Sequence, residues 1–256
     1  ATLNKTQSVP CGNTSATRMK PQIDYNSWLP RVEYTPDLHG GGIILAPLFG
    51  KILNGKHFNT VFEWCAGPAW IGFWLLEIGI CNELVTGDIN ERSVDMVRKT
   101  AQNNNYNVRS YISNNLDSIP NYEMFDLVVA NPPNYCNIQQ SHPFGFMRND
   151  LRPSDIDWEI HNDFYDSVGP YLRKNSNMYI SEIEPHKTEV YIGGDLYDSR
   201  PRIPIKDFTK MAERNGMKIK REIPYILPGS PDLDCSILEI EFNDEASACK
   251  EKTHHS

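Results

Sequence analysis

Short apolar runs and amphipathic stretches alternate along most of the chain. Runs rich in β-branched and aromatic residues predict buried strands over residues 59–65, 83–87, 108–112, 125–130, 178–183, 217–226 and 235–242. Apolar residues at helical spacing predict helices over residues 68–80, 91–102, 155–172 and 205–215.

This order of elements predicts the fold class. Repeated strand–helix units favour a doubly wound α/β architecture, in which helices cover both faces of a mostly parallel sheet. The last two predicted strands follow each other with no helix between them, so an antiparallel hairpin at one edge is expected. The prediction is a Rossmann-like, seven-stranded, mostly parallel sheet with one antiparallel edge strand.

The flanking segments have a different composition. Residues 1–22 and 244–256 are polar and predict a flexible extension and a flexible tail. Residues 23–58 are expected to form a helical or looped cap on the domain at 59–243. Within this cap, Gly40 to Gly42 lead into a predicted helix over 43–53, for which ordinary packing is favoured over a role as lid or floor of a pocket.

Composition limits the possible partners. The 256 residues carry a net charge of −8, which disfavours a large nucleic-acid partner because phosphate backbones require a basic face. The six cysteines form no CxxC pair, which favours free thiols in a reducing compartment and no metal site. No apolar stretch has the length of a membrane span or of a signal-peptide core. A cytoplasmic location without membrane attachment is therefore expected.

The first predicted strand leads into a loop of small residues, from Glu63 to Ala69. Small side chains and a following helix N-terminus allow a ligand to approach the backbone closely. Cys65 and Trp70 stand where a dinucleotide fingerprint would need glycine. The loop therefore favours a ligand without a pyrophosphate, although alone it is a weak signal.

Polar residues also follow the next two strands. Asp88 ends the second strand, where an acid can accept hydrogen bonds from two ribose hydroxyls. The alternative is that Asp88 only caps the following helix. Asn90 is the predicted N-cap of that helix. Asn114 and Asn115 follow the third strand, where they either contact a base edge or form a plain turn.

The fourth strand stops abruptly at Asn131-Pro132-Pro133. Two prolines fix the backbone direction, so the Asn131 amide is held rigidly at the carboxyl edge of the sheet, where such folds bind ligands. Taken alone, Pro-Pro after a strand indicates only a turn. Together with the preceding strand ends, it indicates a clamp for an amide or amine nitrogen.

At these residues the chain resembles the class I S-adenosylmethionine-dependent methyltransferases, over roughly residues 40 to 243. Within that class it is most similar to the Asn-Pro-Pro-Tyr subgroup, which includes protein glutamine N5-methyltransferases, small-domain RNA methyltransferases and DNA adenine methyltransferases. The resemblance implies S-adenosylmethionine as cofactor, contacted by Glu63, Cys65, Gly67, Asp88, Ile89, Asn115 and Asn131.

The resemblance also implies a role for several of these residues. Glu63 would lie near the methionine amino group, Asp88 on the ribose, and Ile89 and Asn115 at the adenine. Asn131 would hold the target nitrogen together with the Pro132 carbonyl.

Two features depart from the family pattern. Cys65 and Ala69 replace loop glycines, and Asn134 stands where an aromatic residue usually stacks on the substrate, with Tyr135 one residue later. Either Tyr135 takes that role or the acceptor is not a flat base.

The leading hypothesis is an N-methyltransferase with a protein or small-molecule acceptor, in which Asn131, Pro132 and Tyr135 act on the acceptor. Asp155 and neighbouring acids would suit an amine-bearing acceptor. An RNA or DNA base methyltransferase, an inactive cofactor-binding regulatory module and, less favoured, a nucleotide-dependent oxidoreductase remain as alternatives.

Overall fold

The computed structural model describes residues 31–35, 42–134, 155, 158–185, 190–192, 195–198, 205–227 and 233–242. The strands are β1 Phe58–Trp64, β2 Cys81–Asp88, β3 Val108–Ile112, β4 Phe125–Ala130, β5 Leu172–Pro185, β6 Val190–Ile192, β7 Asp195–Asp198, β8 Met217–Tyr225 and β9 Leu233–Phe242. The helices are α1 Gly42–Ile52, α2 Trp70–Glu77, α3 Glu91–Asn104, α4 Glu159–Ser167 and α5 Ile205–Arg214.

Seven strands form one twisted sheet in the order β3-β2-β1-β4-β5-β9-β8. The pairs β2–β3, β1–β2, β1–β4 and β4–β5 are parallel, whereas β9 is antiparallel to both β5 and β8. The predicted fold class and the antiparallel hairpin at one edge are confirmed, with β9 lying one position inside the edge strand β8. A separate two-stranded ribbon, β6–β7, was not predicted.

The two faces of the sheet carry separate cores. On one face α1, α2 and α3 pack around buried residues such as Phe49 and Phe73. On the other face α4 and α5 pack around Phe164 and Phe208. Helices on both faces leave the two ends of the strands as the places where loops collect.

Helix α1 packs closely against α2. Leu45, Leu48 and Phe49 are buried, and a Cβ on Gly50 would collide with the indole of Trp74. The interpretation of this segment as a packing helix is therefore confirmed. The Asn90 N-cap of α3 is confirmed as well, because Asn90 Oδ1 accepts from the Arg92 N–H at 3.0 Å.

The helix predicted over residues 155–172 is shorter in the structure. It begins at Glu159, after Trp158 adopts a left-handed conformation with φ 61°, and ends at Ser167. Pro170 cannot continue an α-helix because it lacks an N–H, so residues Gly169–Tyr171 form a 3₁₀ turn instead. None of the helices in the described part of the chain is long and apolar enough to cross a membrane.

Candidate functional site

The carboxyl ends of β1, β2 and β4 lie side by side. Trp64, the last residue of β1, pairs with Gly87 of β2 and with Ala130 of β4. The loop after β1, the acid Asp88 and the turn at Asn131 therefore meet at one edge of the sheet, as the strand-end pattern indicates.

The loop after β1 has an unusual backbone. Cys65, Gly67 and Ala69 have φ angles of 52°, 52° and 60°, in the left-handed region that glycine adopts readily. For Cys65 and Ala69 this conformation costs about 1–2 kcal/mol each. A Cβ on Gly67 would meet no atom within 4 Å, so the backbone at Gly67 is open to a close approach.

Asp88 joins this loop to the end of β2. Its Oδ2 accepts from the Gly67 N–H at 2.7 Å, and its Oδ1 accepts from the Asn90 N–H at 2.8 Å. Burial raises the pKa of Asp88, although the two N–H groups oppose this effect. The adjacent Ile89 is 37% exposed, so its side chain is accessible at the same edge.

Glu63 holds the first turn of α2. Its Oε2 accepts from the Gly72 N–H at 2.6 Å, and the Ile71 N–H also bonds to the carboxylate. Burial raises the pKa of Glu63 to about 8 despite these N–H groups. Gly72 permits this approach, since a Cβ there would lie 2.7 Å from Glu63 Oε2.

Asn115, in the connection after β3, links two other elements. Its Oδ1 accepts from Trp64 Nε1 at 2.9 Å, and its Nδ2 donates to the Ile160 carbonyl of α4 at 3.1 Å. The side chain thus ties the end of β1 to the start of α4. Each group of the amide keeps one further hydrogen-bonding position for a ligand.

The turn after β4 is fixed by Asn134. This residue is 2% exposed, and its Nδ2 donates to the Pro132 carbonyl at 2.9 Å and to the Ser181 carbonyl of β5 at 3.2 Å. Asn131 is half-buried and Pro132 is buried. Asn134 therefore points into the protein and braces the turn, whereas Tyr135 lies outside the described residues.

Three titratable residues that the sequence analysis did not bring together meet beside this turn. Asp155, His161 and Glu182 are all 0% exposed. His161 Nδ1 lies 2.5 Å from Asp155 Oδ2, and His161 Nε2 lies 3.3 Å from Glu182 Oε2. Burial lowers the pKa of His161, but Glu182 and Asp155 outweigh it and raise that pKa to about 9.

One signal in the sequence pointed to this cluster. Glu182 is an acid near the carboxyl end of β5, on the same side of the strand as the buried residues Met178 and Ile180. Its contact with His161 depends on how α4 packs on the sheet, and strand patterning does not specify that packing.

Comparison with known proteins adds to this geometry. Residues 44–143 match the family model described as a methyltransferase small domain. The matched residues span β1 to β4 and the Asn131 turn, and the match supports an S-adenosylmethionine-dependent methyltransferase.

Solved structures share the fold. A ribosomal protein L11 methylase from Lactobacillus delbrueckii subsp. bulgaricus is 16% identical with a TM-score of 0.52, over 81% of this chain and 83% of that one. A methyltransferase from Pyrococcus furiosus is 14% identical with a TM-score of 0.54, over 82% and 88%.

A third solved structure, TrmK from M. capricolum, was determined with S-adenosyl-homocysteine. It is 12% identical with a TM-score of 0.51, over 77% of this chain and 68% of that one. No curated protein matches the sequence. At these identities the structural likeness concerns the fold, and the residue roles must be argued from this chain.

The residues at the sheet edge fit the cofactor. Gly67 leaves its backbone open, Asp88 is a partly exposed acid at the end of β2, and Ile89 offers an accessible apolar side chain. These groups suit a ligand with a ribose and a planar base but no phosphate chain.

Proposed function

We propose that the protein transfers a methyl group from S-adenosylmethionine to an amide or amine nitrogen of a protein or small-molecule acceptor. The observation that supports this most directly is the rigid Asn131-Pro132 turn at the carboxyl end of β4, next to the loop after β1. Cofactor and acceptor would then meet where β1 and β4 end side by side.

The residues of the cofactor side are assigned from their positions. Asp88 would accept hydrogen bonds from the ribose, Ile89 would pack on the adenine, and Asn115 would contact the adenine amine. Glu63 and the loop at Cys65 and Gly67 would lie beneath the methionine part.

Asn131 and Pro132 would orient the acceptor. Asn131 Oδ1 and the Pro132 carbonyl accept hydrogen bonds from the target nitrogen, which fixes its geometry and keeps electron density on it. The Pro132 carbonyl already accepts from Asn134 Nδ2, and its second lone pair serves the acceptor. Bound S-adenosylmethionine supplies the electrophilic methyl group, so the protein chiefly needs to align the nitrogen.

Asn134 changes the expectation for the acceptor pocket. Because its side chain bonds to the Pro132 and Ser181 carbonyls, it braces the turn and presents no aromatic face. Stacking on a flat substrate group would therefore have to come from Tyr135. This favours an aliphatic amide or amine over a nucleobase, as the net charge of −8 also does.

The cellular location is a separate proposal. Cys65 and Cys81 carry free thiols, which fits a reducing compartment such as the cytoplasm.

The test is tritiated-methyl transfer into a cell lysate that is then fractionated into proteins, nucleic acids and small molecules. With the labelled fraction as acceptor, Asn131→Ala should lower kcat by about 100-fold, because a misplaced target nitrogen loses that much rate. S-adenosylmethionine affinity, measured by calorimetry, should stay within about twofold. Asn114→Ala, an exposed amide at the same edge, is the matched control.

Each outcome separates the competing functions. Label in nucleic acid would favour the base methyltransferase, and absence of transfer to any fraction would favour an inactive regulatory module. A rate unchanged by Asn131→Ala would contradict the role of the turn.

A further inference from the structure

A buried polar cluster on the α4 side of β5 contains side-chain atoms without hydrogen-bond partners. We define the Glu182 cluster as Asp155, His161, Tyr165 and Glu182. Among the described residues, both Glu182 carboxylate oxygens, His161 Nε2 and the Tyr165 hydroxyl have no hydrogen-bond partner. The Nε2–Oε2 distance of 3.3 Å brings His161 and Glu182 together without a hydrogen bond of good geometry.

Asp155 differs from Glu182 in this respect. Its Oδ1 accepts from the Ile160 N–H at 2.9 Å, and its Oδ2 contacts the N–H of His161 at 3.0 Å and the imidazole Nδ1 at 2.5 Å. Asp155 thereby fixes the imidazole so that Nε2 faces Glu182. Asp155 therefore has its own hydrogen-bond partners, and it orients His161 Nε2 toward the Glu182 oxygens, which have none.

The cluster lies directly beside the Asn131 turn. In the parallel pair β4–β5, Ala130 is opposite Ile180, so Glu182 is level with the turn that follows Ala130. Neighbouring strands are about 4.8 Å apart. Asn134 connects the two, since its Nδ2 bonds to the Pro132 carbonyl and to the carbonyl of Ser181, the residue before Glu182.

A purely structural role does not explain the Glu182 side chain. Glu182 pairs with His161 at 3.3 Å but accepts no hydrogen bond, and a buried ion pair is often no more stable than apolar side chains of similar volume. Buried polar groups without partners are uncommon in folded proteins and call for a specific cause. Clusters of titratable groups with shifted pKa values occur preferentially at functional sites.

The chemistry of the cluster selects the class of ligand. Two carboxyl groups flank one imidazole, so with all three groups ionised the cluster carries one negative charge, which favours a cation over phosphate. Burial raises the pKa of Glu182, and a bound cation would oppose that rise. The surroundings are aromatic: the His161 ring centroid lies 5.5 Å from Trp64, 5.7 Å from Trp158 and 4.9 Å from Phe208. A single ammonium group has three donors, which match the two Glu182 oxygens and the Tyr165 hydroxyl.

We propose that Glu182 binds a protonated amine carried by the methyl acceptor, next to the nitrogen that Asn131 holds. This rests on the proposed function and specifies its acceptor class. The charged amine is not the nitrogen that is methylated, because a protonated nitrogen has no lone pair. Glu182 is then a specificity-determining residue, and Asp155 and His161 position it.

The experiment measures binding without methyl transfer. n-Butylammonium chloride, n-butyramide and n-butanol are titrated into protein saturated with S-adenosylhomocysteine, at constant ionic strength, and binding is followed by protein NMR shifts. We expect saturable binding of butylammonium alone, with a Kd raised at least 10-fold in Glu182→Gln. Glutamine preserves the shape of glutamate but removes its charge beside His161, so a lower Tm is expected, and binding is compared at a temperature at which both proteins are folded.

Glu241→Gln is the matched control. Glu241 lies on β9 opposite Asn177, toward the amino end of the residues that β5 pairs with β9, whereas Glu182 lies toward the carboxyl end. Its substitution should leave butylammonium binding unchanged.

Two results would overturn the proposal: equal butylammonium binding by the wild type and Glu182→Gln, or equal affinity for butylammonium and butyramide. Either result would leave the role of Asn131 intact, because that role is judged by methyl transfer alone.

Discussion

Asp88 and Glu182, two acids at one edge of the sheet, differ in their hydrogen bonding. On the proposed cofactor side, Asp88 accepts hydrogen bonds from the backbone N–H groups of Gly67 and Asn90. On the proposed acceptor side, Glu182 is completely buried and neither of its oxygens has a hydrogen-bond partner among the described residues. The difference lies in what the local backbone supplies to each carboxylate.

This contrast separates two kinds of site. The cofactor side is organised by the chain itself, because a loop and a helix N-terminus satisfy its acids. The acceptor side has a braced turn at Asn134 and a carboxylate without hydrogen bonds at Glu182. We therefore expect changes on the cofactor side to alter stability and cofactor affinity, and changes on the acceptor side to alter turnover.

The largest expected effect is on stability, at Glu63. Its pKa is about 8 in the folded protein against an ordinary value of 4.5, so the folded state binds more protons between these values. The contribution of Glu63 to stability should therefore fall as pH rises from about 4.5 to 8, by on the order of 3–5 kcal/mol, and then level off. Glu63→Gln should remove this contribution and so reduce the slope in urea unfolding curves of the cofactor-free protein.

The exposed residue Glu213 on α5 provides the control for that measurement. Glu213→Gln should keep the wild-type slope. If Glu63→Gln retained the full pH dependence of the unfolding free energy, Glu63 would not be the group that binds the extra proton in the folded state.

The next effect is on cofactor affinity, at Asp88. Asp88→Ala should weaken S-adenosylmethionine binding by about 100-fold, since hydrogen bonds to a charged group are each worth about 1.5–3 kcal/mol. Calorimetry measures this directly, with Asp117→Ala on the β3–β4 connection as the control. A loss of less than threefold would remove Asp88 from the cofactor site.

The same contrast shows how far the sequence could predict the site. Strand ends are local features, so the positions of Asp88 and Asn131 followed from the apolar runs that precede them. The position of Asn115 followed in the same way, but its contacts with Trp64 and Ile160 had to be seen in the fold, because those residues are distant in sequence. The pairing of His161 with Glu182 depends on the packing of α4, which no pattern within either segment encodes.

A smaller effect is expected at Asn134. Asn134→Ala removes the brace between the Pro132 and Ser181 carbonyls and should lower kcat by about 10-fold, which corresponds to about 1.4 kcal/mol. The affinity for S-adenosylmethionine should stay within about twofold. A similar loss of kcat and of S-adenosylmethionine affinity would show that the proposed cofactor and acceptor sides are not independent.

The smallest effect is expected in the loop after β1. Ala69 has a φ of 60°, so Ala69→Gly should stabilise the protein by up to about 1 kcal/mol in thermal unfolding. Ala66, in the same loop, has no positive φ, so Ala66→Gly should give no gain. Equal effects of the two substitutions would argue against strain at Ala69.

The most direct test of this division is the double variant Glu182→Gln, Asn134→Ala. We predict that calorimetry gives an S-adenosylmethionine affinity within about twofold of wild type, while methyl transfer to the labelled acceptor falls by at least about 100-fold. A cofactor affinity reduced tenfold or more, measured at a temperature at which the variant is fully folded, would contradict the account.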